Sequence, residues 1–389
     1  MKLFKSLLVA PAALGLLAPI SANATEVNLN DIASYSDIES IEFANSFNND
    51  DSSVNPLLAG GEGLVDSHSH DGSFSETTTA SFSADMLLGA VDGGTSATDD
   101  AVMATYSFQV DLNTSFTGED SLDISLDAGN SNAAGIAEFD ANATTSDSLI
   151  VDGVSYTFPV GDKTTVIVGD NTDGSALFST ACVYGGPSDT LDDCGNVNAG
   201  ITNGGAMLGA SYDFGTGFTA AVGYAGSETS VMTEEGTDAW GANVAYTGDN
   251  YGVSVTYGTT EATTSGTPAT NTGEEDSYTA FNGYYTPEGF PSISAGYEIG
   301  DIGGAVDAVD ENISFFVGLN WDEVGPGSAG IALGHSTREG SDEEYMYEAY
   351  YSYPMNDGMT VTPLVFVKEN ATSGKDDTTG VMVKTSFSF

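Results

Sequence analysis

Asp170, Asp173, Asp189, Asp192 and Asp193 fall within residues 170–204, beside Cys182 and Cys194, and this stretch contains no lysine or arginine. Carboxylates gathered without basic partners attract cations, and arranged around a narrow aqueous passage they would favour cations over anions. A solvated acidic loop on the outside of the protein is the alternative. The chain opens with a secretory leader, so the two cysteines are expected to form a disulfide. Closing a loop of this size contributes roughly 3 kcal/mol on the chain-entropy account.

Other constellations carry less chemistry. In "DSHSHDG", Asp66, His68, His70 and Asp71 combine imidazoles at i and i+2 with carboxylates. Such a set can bind a transition metal, but a polar linker is the reading adopted, and no metal or cofactor is expected. Calcium-loop spacing is absent. His335, beside Ser336, is the only histidine after residue 76, and no G-x-S-x-G follows a strand. A hydrolytic site needs a nucleophile within reach of a base. Catalysis is therefore not expected.

Composition narrows the class. Lys2 and Lys5 precede an apolar run from Leu7 to Ile20 and the small-residue site Ala22-Asn23-Ala24, so residues 1–24 read as a cleaved signal peptide. No later run is apolar for long enough to form a spanning helix. Beyond the leader, five basic side chains (Lys163, Arg338, Lys368, Lys375 and Lys384) face 57 acidic ones, a net charge of about −52. Such a surface repels nucleic acid. Disorder is excluded by the 18 tyrosines, the 19 phenylalanines and the regular apolar alternation.

That alternation begins near residue 76. In "AVMATYSFQVDLN", Val102, Ala104, Tyr106, Phe108, Val110 and Leu112 share one face, and Gln109 and Asp111 lie on the other. In "SLDISLDAG", Leu122, Ile124 and Leu126 oppose Asp123 and Asp127. Period two is the signature of a pleated strand. Short turns near 114–120, 160–162, 215–217, 248–250, 286–289, 322–327 and 354–358 alternate with long polar connections near 91–100, 130–148, 170–204, 225–237, 258–276, 300–311, 336–343 and 369–378. Together they join 16 strands. An even number of strands of about 9–11 residues, with tight turns at one end and long loops at the other, describes an antiparallel transmembrane β-barrel, because closure leaves no edge in lipid. The expected organisation is a leader (1–24), a polar periplasmic extension (25–75) and an all-β barrel (76–389). Rings near strand ends, including Tyr212, Phe214, Trp240, Tyr251, Tyr257, Trp321, Tyr345, Tyr351, Tyr353 and Phe389, suit the two membrane interfaces. A soluble sandwich is the competing fold. On the same alternation Gln109, Asp111, Asp123, Asp127, Asn320, Glu348, Lys368 and Lys384 should face a lumen, the last three as a ladder of opposite charges on adjacent strands.

The leader "MKLFKSLLVAPAALGLLAPISANATEVNLNDIASYSD", the stretch "TACVYGGPSDTLDDCGN" followed by "ASYDFGTGFTAAVGY", and the terminal "SFSF" resemble cyanobacterial outer-membrane porins related to carbohydrate-selective porins. The resemblance implies a homotrimeric water-filled channel in the outer membrane that passes ions and small polar solutes. In loop order and relative length the chain also resembles 16-stranded general porins, which implies an inward third loop carrying the five aspartates, and the terminal Phe389 resembles the signal by which the assembly machinery reads bacterial outer-membrane proteins. A carbohydrate-selective pore and a non-conducting surface barrel stay open as alternatives. The chain departs from the family in having only residues 25–75 where members carry an S-layer-homology domain and a coiled coil. No heptad run occurs there.

Overall fold

A computed structural model describes residues 77–93, 102–130, 139, 141, 145–201, 205–233, 236–263, 271–303, 311–338, 343–370 and 376–389. The leader, the extension and the His68–His70 pair lie outside these residues.

The chain forms β1 (Thr78–Asp92), β2 (Val102–Thr114), β3 (Ser121–Gly129), β4 (Ile150–Val160), β5 (Thr164–Asp170), β6 (Ala206–Asp213), β7 (Phe218–Gly226) and β8 (Asp238–Thr247). It continues as β9 (Tyr251–Thr263), β10 (Asn271–Tyr285), β11 (Ser292–Asp301), β12 (Glu311–Val324), β13 (Gly327–Arg338), β14 (Tyr345–Asn356), β15 (Met359–Lys368) and β16 (Thr378–Ser388). A short helix, α1 (Asp189–Asp192), interrupts the connection between β5 and β6. Each strand pairs antiparallel with its sequence neighbours, and β16 returns to β1, closing a 16-stranded barrel.

Closure runs to the last residue. The Phe82 N–H donates to the Phe389 carbonyl at 2.9 Å, and the Phe389 N–H donates back at 3.0 Å. The two rings stack, with centroids 5.6 Å apart. In hydrocarbon an unpaired peptide group costs several kcal/mol, so the chain is paired to its final residue.

Strand alternation gives the wall two chemistries. Met86, Leu88, Leu208, Val222, Val244, Val253, Ile293 and Val365 are exposed on the outer face. Asn243, Ser254, Thr256, Asn282, Ser294, Glu298 and Ser314 are buried on the inner face. This inside-out distribution is that of a wall with lipid outside and polar contents within. Aromatic groups cluster near the short-turn end, where Tyr212 packs on Phe214 and Tyr246 on both Phe218 and Tyr251. They recur near the long-loop end, where Trp240 packs on Tyr257.

Three connections differ from expectation. β9 continues through Thr259, Thr260 and Thr263, and β10 begins at Asn271, because β-branched threonines prolong the ladder. The β12–β13 turn shrinks to residues 325–326. β14 passes through Pro354 to Asn356, and a register shift between these two residues accommodates the missing proline N–H.

Candidate pore constriction

The connection from β5 to β6 folds into the barrel and is sewn to its inner wall. The Ser179 N–H donates to Asn243 Oδ1 at 2.9 Å, the Ala181 N–H to Ser254 Oγ at 2.9 Å and the Val183 N–H to Ser294 Oγ at 3.0 Å. Asn282 Nδ2 donates to the Cys194 carbonyl at 2.8 Å. Glu298, only 1% exposed, accepts from the Asn198 N–H, the Ala199 N–H and Asn198 Nδ2, each at 2.8 Å. The Tyr184 hydroxyl donates to Glu348 Oε1 at 2.7 Å. These anchors span β8 to β14, so one half of the inner wall carries the loop.

Glycines on that half let the backbones touch. A Cβ on Gly296 would lie 1.8 Å from the Cys194 carbonyl oxygen, and one on Gly258 would lie 2.5 Å from the Ala199 carbonyl oxygen. Cys182 and Cys194 are joined as a disulfide, with Cα atoms 6.4 Å apart. α1 packs against β13 and β14 and buries Leu191.

Between the loop and strands β16, β1 and β2 lies an opening of about 300 Å³. Asp189, Asp192, Gly186 and Pro187 line it from the loop; Ser83, Asp85, Ser107, Gln109 and Lys384 line it from the wall, together with Phe139. Lys384 Nζ lies 2.9 Å from Asp85 Oδ2. Towards the short-turn end the wall continues as a hydrogen-bonded carboxylate lattice. Asp111 accepts from Gln109 Nε2 at 2.8 Å and from Ser125 Oγ at 2.7 Å. Asp123 accepts from Asn113 Nδ2 at 2.6 Å and from Ser121 Oγ at 2.8 Å. Asp127 is buried opposite Gln109.

The five loop aspartates do not all line the opening. Asp189 and Asp192 reach the opening, and Asp193 follows them on the loop. Asp170 ends β5, and Asp173 sits at the start of the loop, where burial and the nearby Asp152 raise its pKa. Glu348, Lys368 and Lys384, expected as a ladder, each make a contact outside it. The register sets them beside other residues: Lys384 turns to Asp85, Lys368 Nζ donates to Thr190 Oγ1 at 3.1 Å, and Glu348 holds Tyr184. Asn320 accepts from the Tyr350 hydroxyl at 2.8 Å. His335 packs edge-on between Phe315 and Tyr345, at 4.5 Å and 5.1 Å, among rings at the long-loop end. Asp85 and Glu298 were missed. Their signal was a single acidic side chain on the inward face of an otherwise apolar or small-residue strand.

Asp193 is reached by water yet has protein on most sides. Burial, then Asp192, Asp189, Glu298 and Asp173, push its pKa up to about 7. A carboxyl with a raised folded-state pKa favours the packed loop fully below its ordinary range near pH 4, and that contribution is lost as pH rises through about 7. Over the same window the loop gains a negative charge. Cation preference should therefore rise between about pH 5 and about pH 9, and Asp193→Asn should flatten that rise, as read from reversal potentials at the two pH values.

No family model matches the sequence, and neither does any curated protein. Solved structures do match in fold. OprB of Pseudomonas putida superposes with a TM-score of 0.60 at 13% identity, over 80% of this chain and 94% of that one. OmpF of Salmonella typhi gives 0.57 at 15%, over 80% and 97%. An anion-selective porin from Comamonas acidovorans gives 0.57 at 15%, over 80% and 99%. The chain therefore has the outer-membrane porin fold. Because that fold also serves an anion-selective pore, ion preference has to be argued from the lining residues.

Proposed function

We propose that this chain is an outer-membrane porin of the kind its leader, cysteine stretch and terminal "SFSF" resemble. It forms a water-filled channel for passive diffusion of ions, with cations preferred, and of small hydrophilic solutes, without chemical turnover. The observation that carries this reading is the polar opening left between the inward loop and the β16–β1–β2 wall, inside a barrel whose outer face is apolar. Its lining holds three carboxylates, Asp85, Asp189 and Asp192, against one ammonium, Lys384. Confined between low-dielectric walls, that imbalance concentrates cations.

The same reading assigns residues 1–24 to a cleaved leader, makes 25–75 a periplasmic extension, and gives Phe389 to the assembly machinery as well as to the seam with Phe82. It includes a homotrimer surrounded by outer-membrane lipid. In a planar bilayer with a potassium chloride gradient, the purified protein should give discrete conductance steps and a reversal potential of the sign set by potassium. Anion-signed potentials would overturn the preference. The absence of any steps would favour a structural barrel instead.

A further inference from the structure

The inner wall changes character at the opening. Along β1 the inward positions run Ser81, Ser83 and Asp85 from the short-turn end, and then Leu87 and Val91. On β16 Lys384 gives way to Met382, and β15 adds Leu364 and Phe366. These five apolar side chains are all buried, none of them more than 4% exposed. Register sets Leu87 opposite Lys384, Gly89 opposite Met382 and Val91 opposite Gly380, so the apolar layer begins on the long-loop side of the opening. A Cβ on Gly380 would lie 2.0 Å from the Phe366 ring, so the missing side chain lets that ring lie across β16. An apolar patch turned into an aqueous lumen would be wetted at a cost that grows with its area, yet this one is dry. Part of its cover comes from the connection between β3 and β4. Phe139 meets Phe366 edge-on, with centroids 5.8 Å apart, and Phe139 and Ala141 belong to one buried cluster with Leu87, Val91 and Met382. Between β3 and β15 stand β2, β1 and β16, so to reach Phe366 the connection crosses the strands that line the opening. Phe139 also lines the opening itself.

Resting on the porin reading above, we infer that Phe139 sets the size limit of the channel: seated in the apolar socket of β1, β15 and β16, its ring caps the opening on the long-loop side, and solutes pass between that ring and the loop residues Gly186, Pro187, Asp189 and Asp192. The barrier is steric. A phenyl ring carries no charge by which to sort ions, so it turns away bulky solutes of either sign and bulky neutral ones alike. Phe366 is a positioning residue, because it holds Phe139 in place by the edge-on contact.

The test uses the full-length purified protein in liposomes, with swelling rates measured in glycerol and in the trisaccharide raffinose. Their ratio reports the size limit and does not depend on how much folded protein has inserted. Phe139→Ala should raise the raffinose-to-glycerol ratio severalfold, and Phe139→Leu should raise it by less. The sign of the reversal potential should stay that of wild type in both. Phe290→Ala removes the same ring from the β10–β11 turn, where Phe290 is exposed, and should leave the ratio unchanged. Heat-modifiable gel migration checks folding, and should Phe139→Ala fail to fold, Phe139→Leu carries the test alone. A wild type that admits glycerol, with a ratio that neither Phe139 variant raises, overturns the inference and leaves the porin reading standing. A wild type that admits neither solute, with a Phe139→Ala variant that admits glycerol, upholds the cap and sinks passive diffusion through the native barrel. No swelling with any of these proteins sinks both.

Discussion

Gly296→Ala should widen the channel. A methyl group at this position would meet the Cys194 carbonyl oxygen at 1.8 Å and Asn282 Nδ2 at 2.6 Å. The first neighbour is backbone, held by the disulfide and by the Asn282 hydrogen bond, and cannot swing aside as a side-chain tip would. The loop must lift from β11, and the Asn282 contact goes with it. Overpacking costs roughly 1–3 kcal/mol and the lost hydrogen bond about 1 kcal/mol more, enough to populate a detached loop. Single-channel conductance and open-channel noise should both increase, and the heat-modifiability midpoint should fall. Gly283 on β10 supplies the control, since a Cβ there meets nothing nearer than 3.4 Å. Gly283→Ala should leave conductance unchanged.

Glu298→Ala should have a comparable effect at the other limb of the loop. Glu298 gathers three N–H donors from Asn198 and Ala199, and Ala199 is fully buried. Charge-assisted bonds are the stronger kind, and truncation strands all three donors against the wall. The expected loss is roughly 3–5 kcal/mol in holding the loop. It should appear as faster proteolysis within residues 195–205 and a lower midpoint for loss of the folded band. Glu298→Gln should recover part of the loss, because one carboxamide oxygen still accepts from the two backbone N–H groups while Asn198 can turn its own oxygen towards the new NH₂. If Glu298→Ala and wild type behave alike in both assays, Glu298 is not a loop anchor.

The barrel was legible because its information is local. Val102 to Leu112 alternate with Met103 to Asn113, and such pairs reveal a strand regardless of what lies across the lumen. Turn residues counted the hairpins, and an even count with a paired C-terminus implied closure. Strand ends were harder. Thr259–Thr263 reads as loop chemistry until β10 supplies the ladder partner, and Pro354 reads as a stop until the bulge at Asn356 is known.

The constriction was legible only in outline. The acidic, cysteine-bearing stretch stood out, but which aspartates reach water in the passage depends on where the loop lies. That is set by contacts such as Asn198 with Glu298 and Tyr184 with Glu348, far apart in sequence. Asp85 was not singled out in the sequence, because its partner Lys384 lies almost at the opposite end of the chain. Glu348 and Lys368 fell on the lumen face as alternation required, yet period-two reasoning says nothing about partners, and the loop took Glu348 for itself.

Ser107 lines the opening, while Phe108, its neighbour on β2, faces the outer side beside Ala84 and Ala128. Single-channel recording of Ser107→Cys and Phe108→Cys, before and after a bulky, charged, membrane-impermeant thiol reagent, tests the aqueous path directly. The native cysteines are already bonded to each other, so only the introduced thiol reacts. The account requires a stepwise fall in conductance for Ser107→Cys and none for Phe108→Cys. A fall at Phe108→Cys with Ser107→Cys unaffected would place the water on the other side of the wall and contradict it.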